Sequence, residues 1–275
     1  MTISDEEPYP AAEDYTAQLL VQWRECERSE KFDLEFPGKL EEVASCAGWL
    51  FANINRVLYS PNVTTMPDPA YYSALVSWNA VNTVCAAIEC YMRGFAMESI
   101  GLLRNVIETA AVILNIHVDP QVHELIRTGK HYGADSVKPA KKIIQVLGGV
   151  YGLLCGFAHV NLNSSMPAAR GSNGKTHRLI AGAEFNPEHR KHLKLFVYLF
   201  PFVLSIFRNA VEFVFFDFVT DFQFWKKTDG GFQQSWAPEQ KTLRDKRMAE
   251  LGKAMQEFGV APPTQEELDR DDDRK

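Results

Sequence analysis

Three side chains able to exchange protons or hold a ligand recur at four-residue spacing in one apolar segment. The segment reads GGVYGLLCGFAHVN and carries Tyr151, Cys155 and His159. On a helix this spacing places all three on one face, with Tyr151 and His159 about 12 Å apart along the axis. Because an imidazole titrates near neutral pH, His159 is a candidate general acid or base. Two other interpretations stay open: His159 caps the helix C-terminus, or the face binds a small ligand without catalysis.

A charged pair lies in a second apolar segment. Arg104 and Glu108 are one helical turn apart, at the edge of the apolar arc of a helical wheel. Partly buried charges need partners, so the simplest expectation is that the two pair with each other. The functional alternative is that Arg104 faces a cleft shared with His159, as a fixed cation beside an acid or base. Glu89 and Arg93 have the same spacing, which is typical of a solvated helix pair.

Positive charge is concentrated around the helix that carries His159. The chain has a net charge of −6, whereas residues 123–194 alone carry +7 and the remainder carries −13. Such a patch can attract phosphate groups by releasing counterions, although solvated helix ends produce the same pattern. The candidate nucleic-acid-binding residues are Arg170, Lys175, Arg178, Arg190 and Lys191.

The sequence argues against a metal site and against a bound cofactor. Five cysteines are scattered through mostly apolar runs without the close pairs of zinc sites, which is typical of reduced thiols in an intracellular core. Residues 169–176, ARGSNGKT, resemble a phosphate-binding loop. Such a loop follows a strand and opens a helix, and the preceding NLNSSMP predicts no strand. We therefore expect no metal and no cofactor.

Helices must position these residues, because strand signals are scarce and helical spacing of apolar residues is frequent. Helices are expected near residues 14–31, 37–59, 70–92, 94–117, 139–159, 187–221 and 238–258, with a minor strand at 177–181. The fourth helix is apolar over more than half of its circumference, which predicts a central position. The most apolar run, residues 195–207, is shorter than the roughly 20 residues that span a bilayer, so we expect a buried core helix.

The predicted fold class is all-α, a single helical bundle with an N-terminal helix pair and a C-terminal helical arm. We expect the N-terminal helices in residues 1–66, the bundle in 67–226, and the arm with an acidic disordered tail in 227–275. The N-terminus has no signal-peptide pattern, so a cytoplasmic location is expected.

Two segments together resemble the HEPN-like helical domains, and more narrowly a bacterial HEPN-like family of uncharacterised function. They are YMRGFAMESIGLLRNVIETA and, about forty residues later, YGLLCGFAH, within a resemblance that covers about residues 70–220. The matching positions are Arg93, Gly94, Leu102, Arg104, Glu108, Tyr151, Leu154 and His159. The resemblance implies a core of four to five helices, frequent dimerisation and, in many members, metal-independent RNA cleavage in toxin–antitoxin, CRISPR or phage-defence systems.

The chain departs from the family's catalytic signature, which is Arg, four to six residues, then His. The corresponding positions before His159 are Gly152, Leu153 and Leu154, and none is arginine. Non-cleaving relatives are thought to act as binding or dimerisation modules. The first prediction is therefore a protein that acts by binding, as a homodimer or in a larger prokaryotic defence or stress-response assembly.

The candidate contact surfaces are a glycine stripe and the C-terminal arm. Gly148, Gly152 and Gly156 recur every four residues, and an interior helix glycine costs about 1 kcal/mol, which predicts close approach by another helix. The arm, residues 243–258, has one modest apolar stripe for a partner protein. RNA is a further expected partner, and no membrane partner is expected.

Two alternative functions stay open. In a metal-independent ribonuclease, His159 would act as acid or base on a ribose 2′-hydroxyl, Arg104 beside Glu108 would clamp the phosphate, and Tyr151 would orient the reacting groups. In a ligand-binding bundle, Tyr151, Cys155 and His159 would line a closed apolar cavity.

Overall fold

The structure confirms the all-α class, since 79% of the described residues are helical. It is a computed structural model that describes residues 11–24, 36–60, 66–92, 95–158, 190–228, 231–234, 249 and 252–253. Within them lie eight α-helices and one antiparallel hairpin. The elements are α1 (Ala12–Arg24), α2 (Lys39–Leu58), α3 (Asp68–Met92), α4 (Ala96–Val118), α5 (Gln121–Arg127), α6 (Val137–Ala140), α7 (Val146–Ala158), α8 (Arg190–Val214), β1 (Trp225–Thr228) and β2 (Gly231–Gln234).

Helix α4 lies at the centre of the bundle, packed against α3, α7, α8 and the segment that follows it. Buried apolar residues occupy most of its circumference: Ile100, Leu103, Val106, Ile107, Ala110, Ala111, Ile113, Leu114 and Ile116. A helix with this pattern must have neighbours on several sides. The predicted central position is therefore confirmed.

The N-terminal helix pair is joined by a close backbone contact at Gly48 of α2. A Cβ placed on Gly48 would lie 2.6 Å from the carbonyl oxygen of Ala12 and would also collide with the Thr16 hydroxyl. That hydroxyl donates a hydrogen bond to the Ala12 carbonyl at 2.7 Å. Helix α1 buries Leu19 and Trp23, and both belong to the same apolar cluster as the bundle. Only glycine permits this approach of two helix backbones.

The segment between the helices predicted at 94–117 and 139–159 contains regular structure. Asp119 Oδ1 accepts a hydrogen bond from the backbone N–H of Gln121 at 3.1 Å, where α5 begins. A 3-10 turn at Gly133–Ser136 is capped by Tyr132 and Asp135. These short helices depend on local side-chain caps rather than on apolar periodicity, which is why the periodicity did not reveal them.

The predicted helix at residues 139–159 is interrupted. Its first part is α6, a turn follows over residues 141–145, and the helix resumes as α7. The predicted helix at 187–221 is also shorter, because α8 ends at Val214. The predicted strand at 177–181 and most of the helix predicted from 238 lie outside the described residues.

Two helices are long and apolar enough to cross a membrane by length and composition, over Glu98–Val118 and Val197–Val214. In the bundle, 67% and 72% of these windows are buried, and core helices of soluble proteins have the same pattern. The expected burial of the apolar run is confirmed from Val197 to Phe207, where only Tyr198 and Ser205 are partly exposed. The absence of a membrane partner stays a prediction.

Candidate functional site

Packing of α7 against α4 brings three of the predicted site residues into one hydrogen-bonded group. Glu108 Oε1 lies 2.9 Å from both Nε and Nη2 of Arg104, one turn earlier on α4. The hydroxyl of Tyr151, on α7, donates to the same oxygen at 3.0 Å. The centre of the Arg104 guanidinium lies 5.7 Å from the centroid of the Tyr151 ring. We call Arg104, Glu108 and Tyr151 the Arg–Glu–Tyr group.

The group lies at the border between core and solvent, as the helical wheel predicted for its charged members. The side chains of Arg104 and Glu108 are 28% and 20% exposed. Gly133 covers the other carboxylate oxygen, since a Cβ placed there would lie 3.1 Å from Glu108 Oε2. The 3-10 turn therefore packs directly against Glu108 and restricts its side chain.

The environment keeps Tyr151 and Arg104 in their ordinary charge states. Burial raises the pKa of the Tyr151 hydroxyl, and a hydrogen bond to Cys155 and the Glu108 charge raise it further. Burial opposes the charge of Arg104, but the hydrogen bond and charge of Glu108 outweigh it and raise the pKa of the guanidinium. Tyr151 thus stays protonated and Arg104 stays charged at neutral pH.

Several predicted site residues lie outside the part of the chain that the structure describes. They are His159, Arg170, Lys175 and Arg178. Arg190 and Lys191 belong to the first turn of α8, but the placement of their side chains is not described. A cleft shared by Arg104 and His159 therefore stays a prediction, as does the extended basic patch.

Gly148 and Gly152 of the glycine stripe meet no helix of the described part of the chain. Gly152 is exposed, and nothing described lies within 4 Å of the position that a Cβ would take there. Gly148 lies against the carbon chain of Lys141, 3.3 Å from that position. The prediction that another helix approaches the stripe, which did not specify a helix of the same chain, therefore stays a prediction. Among the described helices, α1 and α2 approach each other closely at Gly48. No glycine lies four residues before or after Gly48, so its spacing in the sequence did not indicate this contact.

A second polar cluster, at the end of α8, was missed by the sequence reasoning. Glu212 is fully buried and accepts hydrogen bonds from Arg208 Nε at 2.8 Å and from the backbone N–H groups of Gln223 and Phe224 at 3.0 and 2.7 Å. Arg208 lies 4.0 Å above the Trp49 ring. Burial raises the pKa of the Glu212 carboxyl, although these hydrogen bonds and the Arg208 charge act to lower it. The cluster fixes the turn before β1. In the sequence, the clue to it was a charged pair, Arg208 and Glu212, one helical turn apart at the end of an apolar run.

The described residues line a small cavity away from the Arg–Glu–Tyr group. A small apolar cavity of about 20 Å³ lies between α2, α3 and α8, with walls that include Leu40, Ile88 and Phe200. This volume holds about one water molecule. The ligand-binding alternative predicted a cavity beside Tyr151, and this one is elsewhere. Among the described residues, no three His, Cys, Asp or Glu side chains come together as possible metal ligands.

The described fold defines the class of the protein as an all-α helical bundle with a partly buried Arg–Glu–Tyr group. Comparisons with protein-family models, with curated proteins and with solved structures find no match to the chain. The resemblance to HEPN-like domains therefore stays a prediction.

Proposed function

We propose that the protein is a HEPN-like helical bundle that acts by binding, as a homodimer whose subunits meet at α7. The observation that carries this proposal is the pairing of Arg104 with Glu108, which also accepts a hydrogen bond from Tyr151. Arg104 thereby belongs to a paired structural group, whereas the ribonuclease alternative requires it to clamp a phosphate. A prokaryotic defence or stress-response setting, a cytoplasmic location and RNA as a partner rest on the sequence arguments and the resemblance alone.

The pairing of Arg104 argues for binding over cleavage. A phosphate clamp must offer a guanidinium edge whose donors are free for the phosphate oxygens. In this structure Nε and Nη2 of Arg104 both lie 2.9 Å from Glu108 Oε1. The carboxylate also cancels the positive charge that would stabilise a phosphorane-like transition state. Cleavage through Arg104 would have to use the N–H donors that do not face Glu108, with the guanidinium charge offset by the carboxylate.

Helix α7 has the composition that a contact between identical subunits requires. None of its thirteen residues is charged, and Gly152 is exposed with open space beside it. Across a two-fold axis each residue near the axis meets its own copy, so a charge there would repel itself. An uncharged helix with a glycine at its exposed face avoids this repulsion and permits close approach.

Light scattering on the purified protein tests the dimer. We expect the wild-type chain to be dimeric and Gly152→Gln to weaken association on the order of 100-fold, because a long side chain separates the helices. Gly101→Gln is the matched control: Gly101 is also helical with nothing described within 4 Å of its Cβ position, but it lies on α4. A monomeric wild type, or a Gly152→Gln protein as dimeric as the control, would contradict the proposal.

The ribonuclease alternative keeps one supporting observation, since the Arg104 side chain remains 28% exposed. Incubation with total RNA in chelator separates the two functions. The binding proposal predicts no cleavage above that of His159→Ala protein. Cleavage by the wild type that His159→Ala and Arg104→Gln both abolish would establish the ribonuclease instead.

A further inference from the structure

Helix α3 presents one uncharged strip to solvent along most of its length. Its buried residues lie on the side that packs against α2 and α4. After Asp68, which begins the helix, the exposed residues are Tyr71, Leu75, Asn79, Asn82 and Ala86. Their spacing of three or four residues places them on one face of the helix. We call these five residues the α3 strip.

The α3 strip has the composition of the centre of a protein interface. Charged residues make up 23% of the chain, yet residues 69–88 contain no Asp, Glu, Lys or Arg. Tyr71 and Leu75 are nevertheless 42% and 40% exposed. A helix face in water usually carries charged residues, whereas the centres of interfaces are depleted in charge and enriched in tyrosine. The strip is therefore suited to contact with another protein.

The α3 strip is complementary to a reversed copy of itself. Its two large apolar side chains, Tyr71 and Leu75, lie as far before the midpoint of the strip as its smaller members, Ala86 and Asn82, lie after it. If two α3 helices met antiparallel about that midpoint, Tyr71 of one copy would face Ala86 of the other, and Leu75 would face Asn82. Large residues opposite small ones interdigitate. A parallel arrangement would instead set tyrosine against tyrosine and leave a gap between the alanines.

We infer that the α3 strip binds the α3 strip of a second copy of this chain, antiparallel, with the two-fold axis beside Asn79. A residue at the axis meets its own copy. Asparagine suits this position, because its amide has both a donor and an acceptor and can pair with an identical amide. The inference does not rest on the proposed dimer, since the strip lies on a different helix from α7. A chain that uses both contacts forms assemblies larger than a dimer.

The size of the α3 strip sets the strength of this contact. From Tyr71 to Ala86 the strip is about 23 Å long. It covers less than the roughly 800 Å² per partner of a standard interface, so we expect association at protein concentrations on the order of 100 μM and not in dilute solution. In the antiparallel arrangement Asp68 of one copy approaches Glu89 of the other at each end of the strip. Salt screens this repulsion, so association should strengthen as salt is added.

Sedimentation equilibrium of the full chain tests the inference in a Gly152→Gln background, which weakens any contact through α7. We expect this protein to dimerise reversibly, and Asn79→Lys in the same background to weaken dimerisation about tenfold or more, because two cations then meet at the axis. The matched control is Asn105→Lys, which is expected to change nothing. Like Asn79, Asn105 is exposed on a helix and its backbone carbonyl accepts a hydrogen bond from a threonine one turn later, but it lies on α4.

A charge exchange at the same position tests the two-fold axis itself. Asn79→Asp alone should dimerise as poorly as Asn79→Lys, whereas an equimolar mixture of the two should dimerise at least as well as the background protein, because opposite charges then meet. A background protein that stays monomeric would leave the strip to a different protein and overturn the inference. Asn79→Lys protein that dimerises like the Asn105→Lys control, or a mixture that associates no better than its components, would overturn it as well.

Discussion

Replacement of Glu108 by glutamine tests whether the Arg–Glu–Tyr group is structural. Glutamine keeps the shape of the side chain and removes the negative charge that Arg104 and Tyr151 share. Removal of one partner from a buried ion pair costs about 3–5 kcal/mol, whereas exposed pairs contribute about 0–1 kcal/mol. With side chains 28% and 20% exposed, this pair lies between the two cases. We therefore expect Glu108→Gln to lower the free energy of unfolding by about 1–2 kcal/mol.

Urea denaturation followed by circular dichroism measures this change. Glu124→Gln is the matched control, since Glu124 forms an ion pair with Arg127 on α5 in which the side chains are 57% and 66% exposed. Solvent screens that pair, so no measurable loss is expected there. A double-mutant cycle with Tyr151→Phe should give a coupling energy of about 0.5–1 kcal/mol, because Tyr151→Phe removes the hydrogen bond and Glu108→Gln removes the negative charge that strengthens it.

The reasoning would be refuted in either of two ways. Glu108→Gln could be as stable as Glu124→Gln, which would mean that the ion pair contributes nothing to the fold. Alternatively, RNA cleavage could appear once the carboxylate is neutralised, which would show that Arg104 is a catalytic residue held back by Glu108.

Three further predictions concern residues outside the Arg–Glu–Tyr group. Gly48→Ala should destabilise the protein by about 1–3 kcal/mol, because the new methyl group collides with α1 despite alanine's higher helix propensity. Gly101→Ala, where the Cβ meets open space, should be neutral or stabilising by up to about 1 kcal/mol. Thermal unfolding of the two variants measures both changes. Glu212→Gln should lower the free energy of unfolding by about 3–5 kcal/mol in the same assay, because a neutral amide cannot replace a carboxylate that accepts from three donors. A loss below about 1 kcal/mol would contradict a structural role for the buried cluster. Burial raises the pKa of the Cys85 thiol to about 12. At pH 8, native Cys85 should therefore react with iodoacetamide about 1,000-fold more slowly than Cys85 in the unfolded chain, and mass spectrometry of the alkylated protein measures the two rates. The same raised pKa means that the native state holds this proton more tightly than the unfolded state, so its contribution to stability is lost as pH rises from 9 towards 12.

The sequence by itself determined the helices and the local pairs. Apolar residues at three- and four-residue steps marked α2, α3 and α4, because the period of a helix is set by the backbone and is visible in neighbouring residues. The pairing of Arg104 with Glu108 was predictable for the same reason, since residues one turn apart on a helix always lie within reach of each other.

Tertiary structure alone decided which distant groups meet. The Tyr151 hydroxyl reaches Glu108 across 43 residues of sequence, and Glu212 accepts from backbone groups 11 and 12 residues later. The contact at Gly48 depends on where α1 crosses α2. Crossing points and helix rotations follow from how whole side-chain surfaces interlock, so no local spacing encodes them. For this reason no glycine spacing in the sequence indicated the contact at Gly48.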